Sequence, residues 1–130
     1  MASVSSMPPM LRLLRSLQSG YYIMTAAWQI VYVETSTVAY LFSSAEIDLS
    51  VMGAGDTIEI RSRKLLDTTA SWVIHQQAPP YVGVQPANHP TVSIGPISNV
   101  YGFEISMRQT AGVLRSILCE FYDAKRLGLA

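Results

Sequence analysis

The sequence predicts an all-β domain, an antiparallel β-sandwich or jelly roll of about seven to nine strands with a short N-terminal arm. Three observations predict it. First, Val100–Thr110 alternates strictly. Tyr101, Phe103, Ile105 and Met107 share one face, and Gly102, Glu104, Ser106 and Arg108 share the other. A period of two is the mark of a half-buried strand. Second, turn residues recur at short spacing, at Thr35-Ser36-Thr37, Gly53-Ala54-Gly55-Asp56, Asp67-Thr68-Thr69, Gly95-Pro96 and Thr110-Ala111-Gly112. Third, the segments between them are rich in β-branched and aromatic residues.

The elements follow in order. Residues 1–20 read as an arm, with Gly20 closing it. Pro8 and Pro9 suit a first helical turn, so the arm admits a helix from Pro8 to Gln18. Its Arg12 and Arg15 lie among leucines, and Glu34 is the first acid of the chain. That resembles a transit peptide or an amphipathic anchor, but a docking arm is the preferred reading. Residues 21–124 form the sandwich. Ala27–Glu34 is the first strand and Val38–Phe42 a second apolar run, which Ser43-Ser44 ends. Glu46–Val51 alternates with Ile47, Leu49 and Val51 on one side, and Thr57–Lys64 alternates with Ile58 and Ile60 inward. The Gly53–Asp56 turn between them predicts a hairpin.

Ser71–Gln77 is a strand carrying Trp72 and Ile74 on one face. Ala78–Pro90 holds Pro79, Pro80, Pro86 and Pro90 and reads as a loop or irregular edge. Thr91–Ile94 is a short strand stopped by Gly95-Pro96. Val113–Tyr122 fits two patterns. Val113, Leu114, Ile117, Leu118 and Phe121 make a helical face, whereas Val113, Arg115, Ile117, Cys119 and Phe121 make a strand face. The strand is preferred, because a tight turn after a long strand most simply makes a hairpin. Residues 125–130 form a tail.

Composition bounds the function. The 130 residues fit one domain, and 9 basic against 9 acidic side chains leave no net charge. There is no basic field for specific nucleic-acid binding, and no apolar run of transmembrane length. Charged residues are 14% of the chain, against about 25% in an ordinary soluble domain. Coverage of the surface by neighbouring subunits accounts for so little charge, so a homo-oligomer is expected. Cys119 is the single cysteine, which excludes an intrachain disulfide.

No motif for a cofactor, metal or catalytic centre stands out, and none of the three is expected. His75 lies opposite the Trp72/Ile74 face and His89 in the proline-rich loop, with nothing in their spacing that demands a metal. Cys119 sits in an apolar segment as a small core residue. Gly53-Ala54-Gly55 lacks the Lys-Ser/Thr of a phosphate loop. Arg61, Arg63 and Lys64 form a compact basic cluster, for which cross-strand pairing with Glu46 or Asp48 is the cheapest account. Tyr81, after Pro79-Pro80, is a loop aromatic suited to contact.

Gly55-Asp56-Thr57-Ile58-Glu59-Ile60-Arg61 opens one strand. Further on comes Pro96-Ile97-Ser98-Asn99-Val100-Tyr101-Gly102-Phe103-Glu104-Ile105-Ser106-Met107-Arg108-Gln109-Thr110-Ala111-Gly112, and then a closing strand to Glu120-Phe121-Tyr122. From Gly55 to Tyr122 this resembles the small β-sandwich virion proteins of phages and archaeal viruses, which build or decorate capsids. The resemblance implies a non-enzymatic structural protein located in a virion, with itself or other structural subunits as partners. The residues expected at assembly contacts are Leu11, Leu13, Leu14 and Tyr21 in and after the arm, and Pro80 and Tyr81 in the loop. The alternatives are a monomeric carbohydrate- or protein-binding module using Trp72, Tyr81 or His89, and a small enzyme using His75 or His89 with a carboxylate.

Overall fold

The computed structural model describes residues 11–35, 40–67, 71–99 and 101–126. These form β1 (Leu11–Arg15), β2 (Gly20–Ile23), β3 (Gln29–Glu34), β4 (Tyr40–Asp48), β5 (Thr57–Lys64) and β6 (Val73–Gln77). The rest are β7 (Tyr81–Val82), β8 (Thr91–Ile94), β9 (Ile97–Asn99), β10 (Phe103–Ala111) and β11 (Ser116–Arg126). The all-β expectation holds. The strand number exceeds it because three edge ribbons are each broken in two.

The breaks have local causes. β8 and β9 lie end to end along β4, with Ala45 opposite Ile94 and Phe42 opposite Ile97. Gly95-Pro96 interrupts them, and Pro96 has no N–H to give the ladder. β6 and β7 lie in the same way along β5, separated by Ala78-Pro79-Pro80. β1 and β2 lie along β11, from Leu11 opposite Arg126 to Ile23 opposite Ser116. Residues 16–19 bulge out between them. There the Ser19 hydroxyl stands in for the ladder, accepting from Phe121 N–H at 2.9 Å and donating to Phe121 C=O at 3.3 Å.

Joining each broken pair leaves eight ribbons, all antiparallel. In chain order they run 1-8-3-6 in the first sheet (β1/β2, β11, β4, β8/β9) and 2-7-4-5 in the second (β3, β10, β5, β6/β7). This interleaving is that of a jelly roll. Apart from β5 to β6, consecutive ribbons sit in opposite sheets.

That crossing corrects several expectations. β4 and β5 are not a hairpin, because the Gly53–Asp56 turn carries the chain between sheets. β10 and β11 are likewise in different sheets, although β11 is a strand as preferred over the helix. The helix expected from Pro8 to Gln18 is absent over its described part: Leu11–Arg15 is a strand, held by β11. Residues 1–10 of the arm and 127–130 of the tail lie outside the described residues. β4 runs on through Ser43-Ser44 as one strand: Ser44 pairs with Tyr122 of β11, and Ser43 is the extra residue at the register shift before Phe42 meets Asp123.

The core forms where the two inner faces meet. Ile58 and Ile60 of β5, Phe103, Ile105 and Met107 of β10, and Ile117, Cys119 and Phe121 of β11 are all buried. Tyr32 and Phe103 of the second sheet interlock with Phe42 and Phe121 of the first. Tyr32 lies 4.9 Å from Phe42 and 5.1 Å from Phe121, and Phe42 lies 5.0 Å from Phe103, all with tilted rings. Each such pair contributes about 0.5–1.5 kcal/mol beyond its burial.

The outer face of β10 is buried as well, against expectation. Glu104 and Ser106 are almost wholly covered. Arg63 pairs with Glu104, and Arg108 pairs with Glu59 at 2.8 Å. The Trp28 ring lies against the guanidinium groups of Arg61 at 4.1 Å and Arg108 at 4.5 Å. Arg61 and Arg63 therefore do not meet Glu46 or Asp48, which belong to the other sheet.

Two measurements check this packing. Phe103→Ala should lower the free energy of unfolding in urea by about 3–5 kcal/mol. Burial pushes the Cys119 thiol up to about 12, so the native chain should resist alkylation at mildly alkaline pH and take one adduct only in strong denaturant, as read by mass spectrometry.

Candidate functional site

Antiparallel pairing gathers four loops at one end of the sandwich. They are residues 24–28 after β2, 49–56 after β4, 83–90 after β7 and 112–115 after β10. Each crosses from one sheet to the other, so no ladder holds it. A polar network does so instead, centred on Asp56, which is fully buried. Its carboxylate accepts the N–H of Gly53 at 2.8 Å, the N–H of Val113 at 3.1 Å and Arg115 Nε at 2.6 Å. Its own carbonyl accepts the N–H of Gly83 at 2.8 Å. One residue thus ties three loops together.

Gln109 continues the network. Its Nε2 donates to the carbonyls of Ala111 and Val113 at 3.0 and 2.6 Å, and its Oε1 accepts the N–H of Arg115 at 3.0 Å. The fourth loop joins through Met24 N–H to Arg115 C=O and Gln109 N–H to Thr25 C=O, both at 2.8 Å. Gly112 makes the arrangement possible. Its φ is +88°, and a Cβ there would stand 2.0 Å from Asp56 Oδ1.

The surface that this bracing presents is apolar. Val84, Val113 and Leu114 are 69%, 67% and 53% exposed, and Val51 and Ile23 are exposed beside them in the fold. Loop tips are ordinarily polar. Large aliphatic side chains on three of these braced loops, with Ile23 at the end of β2, form a surface suited to burial against another protein. The loop cluster carried a turn signal in the sequence, but Val113 and Leu114 read as the start of a strand, so their exposure was not foreseen.

The two long edges of the sandwich differ. On the β2/β3 side, Gln18 closes the gap between sheets. Its side-chain amide donates to Val33 C=O at 2.9 Å and accepts Val33 N–H at 2.8 Å. On the opposite side, between β5–β7 and β8, the sheets stand apart and leave a cleft of about 160 Å³. It is lined in part by Ile60, Ser62, Gln76, Tyr81, Val92 and Ile94. A shallower hollow of about 470 Å³ continues past Tyr81, Val92 and Ser93 to Gln85, Pro86 and His89.

The expected contact residues are scattered over these features. Leu11, Leu13 and Leu14 hold ladder positions in β1 against Arg126, Ala124 and Asp123. Tyr21 stands on β2 with 73% of its surface exposed. Pro80 is exposed at the opposite edge, and Tyr81 beside it is half-buried in the cleft wall. The structure brings Tyr81 and His89 onto one hollow. Trp72 is elsewhere, near Leu65 and Gly102, with Arg63 over its ring at 6.0 Å. His75 stands on exposed β6, where burial of its ring and then the nearby Lys64 charge lower its pKa.

Among the described residues, no three His, Cys, Asp or Glu side chains gather as metal ligands. No helix among them is long and apolar enough to cross a membrane. Comparison with protein-family models, with curated proteins and with solved structures gave no match.

The Asp56 network makes the loop end sensitive to acid. The Gly53 N–H, then the Arg115 guanidinium and the Val113 N–H, hold the Asp56 carboxyl below the usual carboxylate range. A depressed folded-state pKa contributes stability above the unfolded-state value, and that stability is lost as pH falls through the folded one. The urea midpoint should therefore drop on acidification below the ordinary carboxylate range. Asp56→Asn should lower the midpoint at neutral pH and flatten that acid limb; an unchanged limb would assign it to other carboxyls. Gly112→Ala should cost at least about 1 kcal/mol, since it combines a left-handed backbone with a collision at Asp56.

Proposed function

We propose that this chain is a non-enzymatic structural subunit, a jelly-roll block that self-associates or docks on a larger particle, as a capsid or capsid-decorating protein of a virus does. The observation that carries the reading is the apolar loop end, in which Val84, Val113 and Leu114 stand exposed on loops fixed from beneath by Asp56 and Gln109. A surface held in one shape loses little conformational freedom on contact, so more of its burial appears as affinity. The jelly roll alone does not decide the matter, since lectins and cupins share it with capsid subunits.

Two further features support the reading. A chain with no net charge carries little self-repulsion into a crowded lattice. Exposed Tyr21, on the outer face of β2, offers a second aromatic contact away from the loop end. A subunit with two separate contact surfaces can bind more than one neighbour, which a closed or extended lattice requires.

Light scattering across a concentration series tests this directly. A discrete oligomer or a mass that grows with concentration is the expected result. Val113→Asp with Leu114→Asp should reduce the assembly to monomer while the β-type circular dichroism is kept. A wild-type monomer at every concentration, alone and with candidate particle components, would refute the assignment.

A further inference from the structure

We infer that the open edge of the sandwich is a binding groove for a neutral carbohydrate, with Ser62 at its floor and Tyr81 as its stacking wall. This inference does not depend on whether copies of the chain assemble.

The groove exists because both bordering ribbons are interrupted by proline. In the second sheet, Ala78-Pro79-Pro80 lifts away from β5, leaving only Ala78 N–H bonded to Ile60 C=O at 3.3 Å. In the first sheet, Gly95-Pro96 separates β8 from β9. Between these breaks the inner faces do not close, and the cleft reaches in to β5.

At that depth β5 changes character. Ile58 and Ile60 fill the inward positions before it, but the next is Ser62, which is 2% exposed. Its hydroxyl has no hydrogen-bond partner in the protein. A buried hydroxyl without a partner is destabilising, and an aliphatic residue would fill the site better. A hydroxyl at the floor of an open cleft is accounted for by a ligand that pairs with it. Ser93, by contrast, shares the outer face of the first sheet with Glu46, to whose carboxylate it donates at 2.9 and 2.8 Å. Gln76 supplies both a donor and an acceptor.

The lining selects the class of ligand. Tyr81, Val92, Ile94 and Ile60 offer apolar faces, while Ser62 and Gln76 offer uncharged hydrogen-bonding groups. That mixture matches the C–H faces and hydroxyl rim of a pyranose ring. Arg61 is the only permanently charged residue among those lining the inner cleft, too little for a polyanion. An extended peptide would need a long free strand edge, but β7 is two residues long after two prolines and β8 is four residues between Pro90 and Gly95-Pro96. The outer hollow, running past Tyr81 toward Gln85 and His89, gives room for further sugar units.

Saturation-transfer difference NMR on the full chain tests the groove, whatever its state of assembly. The probes are methyl glycosides of glucose, galactose and mannose, a neutral trisaccharide, and a proline-rich peptide. Saturable transfer to at least one sugar is expected. Ser62→Ala should weaken that binding about tenfold, the effect of one lost hydrogen bond, while the melting temperature stays the same or rises. Tyr81→Leu should abolish the transfer, and Trp72→Phe should leave it unchanged. No transfer to any sugar, which would leave Ser62 to water alone, overturns the inference. So does transfer to the peptide only, or sugar binding that survives Ser62→Ala or Tyr81→Leu.

Discussion

The loop end depends on one buried carboxylate. In a jelly roll almost every connection leaves one sheet and enters the other, so its turns are not held by the hairpin ladders that brace a meander. Here Asp56 supplies the missing restraint. Burying an ionised group is costly unless donors surround it, and two backbone amides and a guanidinium do so. The donors come from two loops, so satisfying the charge and fixing the loops are the same event. Gly112 is part of that solution through the space it leaves empty.

The two edges show opposite answers to a single problem. A sheet edge exposes backbone groups that must pair with something. At the β2/β3 edge a side-chain amide imitates a strand, with Gln18 meeting both the N–H and the C=O of Val33. At the β7/β8 edge proline removes the donors and the sheets part. The first device makes the sandwich continuous and the second makes it concave. The same fold thus has a sealed flank, an open flank and a braced, apolar end.

Much of this was legible in the sequence where the signal was local. The alternation in β5 and β10 placed Ile58, Ile60, Phe103, Ile105 and Met107 correctly, and turn clusters marked three of the six crossings between sheets, those after β3, β4 and β10. What a turn cannot express is its destination. Gly53–Asp56 and Thr110–Gly112 have the composition of hairpin turns, yet both switch sheets, because the partner of each strand lies far along the chain. The leucines and arginines of β1 suit a helix as well as a strand, and only β11 decides between them. Glu104 and Ser106 read as solvent-facing because the Trp28 ring that helps to roof their sheet belongs to a remote loop. For the candidate site, Tyr81 stood out by its proline neighbours. Ser62 did not, since an unpaired hydroxyl is recognisable only once its surroundings are known.

The pairing of β1 and β2 with β11 has a consequence for how the protein is made. β11 lies between β4 and the β1/β2 ribbon, and without it the first sheet falls into two pieces. During synthesis, Ser116–Arg126 is made after all the other described strands. The nascent chain must therefore carry its aliphatic and aromatic segments unfolded, or only loosely collapsed, until translation of this domain is nearly complete. Folding is then a late closure of long loops, slow by its topology and open to misassociation between neighbouring chains.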